Sequence, residues 1–110
     1  MVSFKVITTP KALSQLNEYL DYIQYTLLND QAANAVWEDA LETVNELENV
    51  AGSLRPCDDI DLRDLGYYKI NFLHHRYVMI YRIDGDVAYV EAIYHQLQDY
   101  ENTFLDSLSD

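Results

Sequence analysis

Val2, Phe4 and Val6 alternate with Ser3, Lys5 and Ile7, which predicts a strand over Val2–Thr8. Thr9 and Pro10 then form a helix start, a side-chain cap followed by proline at the first helical position. Leu13, Leu16, Leu20, Ile23 and Leu27 follow at spacings of three and four, the period of one helix face. Asn29-Asp30 interrupts this pattern, and Asp30 is suited to cap a second helix. Ala33, Val36, Ala40, Val44, Leu47 and Ala51 give that helix its stripe, widened by Trp37 and Leu41, with Gly52 as its expected C-terminal cap. So short a break between two amphipathic helices predicts an antiparallel hairpin.

Ser53–Leu65 has no clean period and reads as a surface loop with room for a short helical turn. Three strand-like runs follow, Tyr67–Leu73, Arg76–Ile83 and Asp86–Tyr94, the last two joined at Asp84-Gly85, a strong hairpin signal. Leu97, Tyr100, Phe104 and Leu108 then recur at helical spacing. The expected fold is therefore α+β in one domain, residues 1–110. A two-helix hairpin packs on one face of a mainly antiparallel four-stranded sheet, with a short C-terminal helix.

A two-residue turn centred on Asp84-Gly85 sets Ile83 opposite Asp86. One face of the hairpin then carries His75, Tyr77, Met79 and Tyr81 with Ala88, Val90, Ala92 and Tyr94, and this apolar face is expected under the helices. Tyr68, Ile70 and Phe72 are expected there too. The other face carries Arg76, Val78, Ile80 and Arg82 with Val87, Tyr89, Glu91, Ile93 and His95, and Lys69 joins it from the preceding strand. In this register Arg76 and His95 are diagonal neighbours about 7 Å apart at the backbone. Ile80, Tyr89 and Ile93 form an apolar patch rimmed by charge, the usual mark of a partner-binding surface.

Composition narrows the class. The chain has 110 residues, 49% hydrophobic and 24% charged, which excludes a disordered or collagen-like chain. No apolar run reaches the ~20 residues of a membrane span, and the first residues lack a basic, then apolar, export signal. The expected compartment is the cytoplasm, with no membrane partner. Cys57 stands alone, without an evident histidine partner, and is expected to be inert. The net charge is −12, but Gly66–Ile83 holds Lys69, Arg76 and Arg82 and no acid. That stretch is +3 and the rest of the chain −15. His74 and His75, as strand neighbours, point to opposite faces, so no metal or other cofactor is expected. Glu38, Asp39, Glu42 and Glu46 read as a solvated acidic helix face.

Four segments together resemble the RelE/ParE superfamily, the toxin subunits of bacterial type II toxin–antitoxin modules. They are Phe4–Ala12, the helix pair, Arg76–Asp84 and Ile93–Tyr100. The resemblance implies a growth-inhibiting toxin with a cognate antitoxin. In the superfamily's ribosome-dependent RNases, a ribose 2′-hydroxyl attacks the adjacent phosphate, so the implied further partners are ribosome and mRNA. By position Arg76 and His95 are then the catalytic candidates, the one for phosphate charge and the other for proton transfer. Lys69 and Arg82 are the substrate-binding candidates. The other branch of the superfamily inhibits DNA gyrase by protein contact, and its closing segments often run His-x-x-x-Asp, as do His95 and Asp99. A non-toxic binding module is the third implied reading. The convergence of Arg76 and His95 makes mRNA cleavage the leading expectation, while the acidic balance and the His-x-x-x-Asp closing favour the others.

Overall fold

The computed structural model describes residues 3–109. Strand β1 (Lys5–Thr8) leads into helix α1 (Pro10–Asp21), which continues as a π-helical turn at Tyr22–Thr26. Helix α2 spans Asp30–Val50 and ends in a 3₁₀ turn at Ala51–Ser53. The short helix α3 (Ile60–Asp64) precedes strands β2 (Tyr67–Asn71), β3 (Tyr77–Asp84) and β4 (Val87–His95), and helix α4 (Tyr100–Leu108) closes the described chain. The sheet order is β1-β4-β3-β2, with β1 parallel to β4 and the other pairs antiparallel. The architecture is the expected α+β one. The expected start of the first strand at Val2 lies outside the described residues.

The helix starts follow the sequence chemistry. Thr9 Oγ1 accepts from the Ala12 amide at 3.2 Å, with Pro10 at the first position of α1. Asn29, rather than Asp30, caps α2: its Oδ1 accepts from the Ala32 amide at 3.0 Å. Asp30 becomes the first helical residue, where its charge meets the helix dipole favourably. The π turn, closed by Leu27 N–H donating to Tyr22 O at 3.1 Å, inserts a residue into the α1 period. The expected stripe therefore ends at Ile23, and Leu27 is exposed. On α2 the buried face includes Asp39 and Thr43, while Trp37 and Leu41 reach solvent. Gly52 is not a left-handed cap. It lies in the 3₁₀ turn against the Phe4 ring, where an added Cβ would meet Cζ at 3.2 Å.

The hairpin register departs from the expected one in two steps. The two turn residues are Gly85 and Asp86, with Asp84 opposite Val87. Gly85 has φ 64°, and glycine suits the first central position of a type II′ turn. This slides the pairing by two residues and preserves the faces, so Tyr81, Ala88 and Val90 lie in the core under α1 and α2. The second step is a β-bulge. Tyr81 pairs with Val90 but Ile80 with Ala92, so Glu91 is the extra residue. One extra residue exchanges the faces of everything beyond it. Ile93 joins the helix-facing core, and Ala92 and Tyr94 pass to the other side.

The second sheet face is not open. Helices α3 and α4 cover it, and Leu62 and Phe104 pack with Tyr67, Val78, Ile80, Ala92, Tyr94 and Cys57 in a second core. Phe104 is 1% exposed and meets the Tyr67 ring edge-on at 4.9 Å. The patch expected from Ile80, Tyr89 and Ile93 therefore does not form. Ile80 and Ile93 are both 0% exposed, in different cores, and Tyr89 is half-buried under the Arg82 guanidinium at 4.4 Å.

Candidate functional site

The segment Leu73–Arg76 is a bend between β2 and β3, with neither His74 nor His75 in the ladder. What holds it is Asp39, from the middle of α2. The carboxylate accepts from the Leu73 amide at 3.1 Å and from the His74 amide at 3.0 and 3.2 Å. His75 Nδ1 lies 2.7 Å from the same group. Asp39 is 2% exposed, and a buried carboxylate must be this well bonded to remain there. His74 meets the exposed Glu42 at 3.1 Å through Nε2.

This bend borders a cleft of about 480 Å³ at the end of the sheet. Its floor is Ile23, Leu27, Ala32 and Val36 from the helix hairpin, and its polar rim is His74, His75, Arg76 and His95. The bulge at Glu91 is what turns His95 towards the helices rather than the opposite face. His95 lies opposite Tyr77, ring centroids 5.2 Å apart and edge-on. Its backbone amide is fixed by the Tyr19 hydroxyl and Gln98 Oε1, both at 3.2 Å. Burial pushes the phenols of Tyr19 and Tyr77 above their ordinary range, for Tyr19 against the lowering effect of its bond to His95, so both stay neutral, and Tyr19 donates to Gln98 Oε1 at 2.8 Å.

The partners also orient the two imidazoles. His75 Nδ1–H donates to the Asp39 carboxylate, which leaves Nε2 as a lone-pair acceptor in the neutral ring. His95 Nδ1 instead accepts from the Leu97 amide at 3.1 Å, which places the proton on Nε2. One ring offers an acceptor and the other a donor. Among the described residues Arg76 has no carboxylate within ion-pair distance, and it lines the same cleft.

Lys69 and Arg82 line a different part of the sheet. Lys69 Nζ contacts Glu101 at 2.8 Å, Asp58 at 3.0 Å and the Tyr100 hydroxyl at 3.2 Å. Burial opposes the charge of this ammonium, but those three bonds together outweigh it and hold its pKa above the ordinary lysine value. Asp58 is lowered by its bond to Lys69 and by the charge of that ammonium. Arg82 Nε reaches Glu91 at 3.1 Å. Neither cation joins the cleft, so the basic strip of the sequence is divided by its own carboxylates. Asp39 is the functional candidate that sequence reasoning missed. Its place three residues after Val36 and one before Ala40 put it on the buried face.

The pattern described as "ParE toxin of type II toxin-antitoxin system, parDE" matches residues 6–100. Among solved structures, the chain is similar to the "Chromosomal ParDE TA system from P. aeruginosa", at 21% identity and TM-score 0.70 over 84% of this chain and 96% of that one. The isolated RelE toxin of E. coli aligns at 16% identity and TM-score 0.44 over 96% of this chain and 99% of that one. No curated protein gives a match. Among the described residues no helix is long and apolar enough to cross a membrane.

Proposed function

The chain belongs to the ParE family, toxins of type II toxin–antitoxin systems, and on that premise we propose that it arrests growth by protein contact with DNA gyrase. It acts in the cytoplasm and is held inactive by a cognate antitoxin. The ParDE system named for its structural neighbour supports the antitoxin part of this reading. The observation that carries the protein-contact part is the fate of the cations. Lys69 and Arg82 are paired with Glu101, Asp58 and Glu91 on a sheet face already covered by α3 and α4. With a net charge of −12, that leaves no broad positive surface among the described residues to draw in RNA.

One observation favours a second reading, cleavage of mRNA on the ribosome: Arg76 and His95 line a single cleft. Induced expression distinguishes the two. Contact with gyrase predicts growth arrest with altered plasmid topology and intact mRNA, relieved by co-expression of the antitoxin. Primer extension showing new mRNA ends, with plasmid topology unchanged, would establish the nuclease instead.

A further inference from the structure

We propose that the end of the molecule formed by the tip of the helix hairpin and the His74–Arg76 bend is a contact surface for a second copy of this chain, paired about a two-fold axis. The inference is independent of the gyrase reading, which stands whether the chain is a monomer or a dimer.

The tip leaves large apolar side chains in solvent. Tyr22, Tyr25, Leu27 and Leu28 are each more than half exposed, and Leu73 and Leu97 are exposed at the same end of the sheet, one beside the bend and the other just beyond His95. These six residues leave about 700 Å² open, more than the roughly 300–600 Å² of the largest patch on a typical monomer. The backbone is unusual in the same place. The π turn ends the buried stripe at Ile23 and leaves Leu27 outside it, and such turns are frequent at functional sites. Leu28 has φ 54°, in the left-handed region that glycine or asparagine adopts with less strain. It is also 83% exposed, so within one copy it gains almost no burial to set against that strain.

Charge selects the occupant. Arg76 lies exposed on the bend side of the cleft, with no carboxylate within ion-pair distance among the described residues. Asp21 and Asp30 flank the tip on the helix side, exposed and likewise without a cation. The surface thus has an apolar centre, a positive side and a negative side. A two-fold axis through the cleft sets the helix side of one copy against the bend side of the other, so each contact is made twice. The cleft, about 480 Å³ with the apolar floor already described, gives Leu28 of the other copy a place to bury. Full coverage of the patch on two copies removes about 1,400 Å², within the roughly 1,200–2,000 Å² of specific interfaces. The net charge of −12 opposes association at long range, but physiological salt screens that repulsion beyond about 8 Å. The expected dimer is therefore one of micromolar affinity.

The test is sedimentation equilibrium of the full purified chain at physiological salt, from micromolar to near-millimolar concentration. The wild type is expected to pass from monomer to dimer mass. Leu28→Asn is expected to weaken the dimer by about tenfold or more, since the contact is lost twice. Asparagine suits the left-handed backbone, so this variant should unfold in urea no earlier than the wild type, which separates loss of contact from loss of fold. Arg76→Asp is expected to leave a monomer, and its combination with Asp21→Arg and Asp30→Arg to restore the dimer with the charges inverted. Ile60→Ser, on α3 over the other face of the sheet, should change nothing. A wild type monomeric throughout, a dimer indifferent to Leu28→Asn, one weakened equally by Ile60→Ser, or an inverted variant that stays monomeric would overturn the proposal. So would a monomer whose tip amides gain protection from exchange only when antitoxin or gyrase is added, which would give the surface to that partner.

Discussion

Asp39→Ala is the substitution whose cost the structure defines most clearly. The carboxylate is 2% exposed and holds three donors, the amides of Leu73 and His74 and Nδ1 of His75. Hydrogen bonds to a charged acceptor contribute about 1.5–3 kcal/mol each when water cannot replace them. Leu73 and His74 are exposed, so water recovers part of the loss, and about 1 kcal/mol per amide is the reasonable figure. The half-buried His75 adds about 1.5 kcal/mol. The total is about 3–4 kcal/mol. Asp39→Asn keeps the amide bonds but sets an NH₂ against Nδ1–H of His75, at a cost of about 1–2 kcal/mol. Glu42→Ala, one turn along the same helix, removes only an exposed contact to His74 and shifts stability by less than about 0.5 kcal/mol. Urea unfolding measures all three, with a slope of about 1–1.5 kcal/mol per molar for a chain of this size. Asp39→Ala should lower the midpoint by about 2–4 M. A shift below about 0.5 M for Asp39→Ala, or equal shifts for Asp39→Ala and Glu42→Ala, would refute the role given to the buried carboxylate.

Three further outcomes are expected. Phe104→Ala removes the fully buried anchor of α4, and nine residues do not sustain a helix alone, so α4 should detach at a cost of about 3 kcal/mol and its amides should exchange freely. Protected α4 amides in that variant would disprove the anchor. Stability should fall as pH rises above about 9, because burial pushes the Cys57 thiol up to about 12 and raises the Tyr81 phenol, so the unfolded chain loses protons that the folded one keeps. Cys57→Ala should flatten the first part of that fall, and a flat profile for the wild type between pH 9 and 11 would contradict it. Native Cys57, 0% exposed, should resist a disulfide reagent at pH 8 until denaturant is added, and immediate reaction would place the thiol outside the second core.

Much of this fold is legible because local chemistry and tertiary demand agree. Thr9-Pro10 starts α1, the stripe of Ala33, Val36, Ala40 and Leu47 buries α2, and Gly85 turns the hairpin. Two of the departures share one cause, a single residue added to a period. The π turn displaces Leu27 from its stripe, and the bulge at Glu91 exchanges the faces of Ile93 and His95. The bulge has no clear signal in the sequence, because Val87–Val90 and Ala92–Tyr94 are both unbroken apolar runs on either side of Glu91. The cover over the second face was harder to place, because the spacing of Tyr100, Phe104 and Leu108 defines a helix but not where it docks. Asp39 was hidden differently: among Glu38, Glu42 and Glu46 it reads as one more surface acid, although its spacing from Val36 and Ala40 places it on the buried face, and its partners lie in a distant bend.

The most direct test of the central claim is plasmid supercoiling by purified DNA gyrase in the presence of the purified chain. Inhibition of supercoiling that disappears when the cognate antitoxin is added in equal amount is the predicted result. It should persist in Arg76→Ala and His95→Ala, since a protein-contact mechanism needs neither phosphate binding nor proton transfer. Full gyrase activity at toxin excess, with mRNA cut on ribosomes by the wild type and left intact by both variants, would contradict the account.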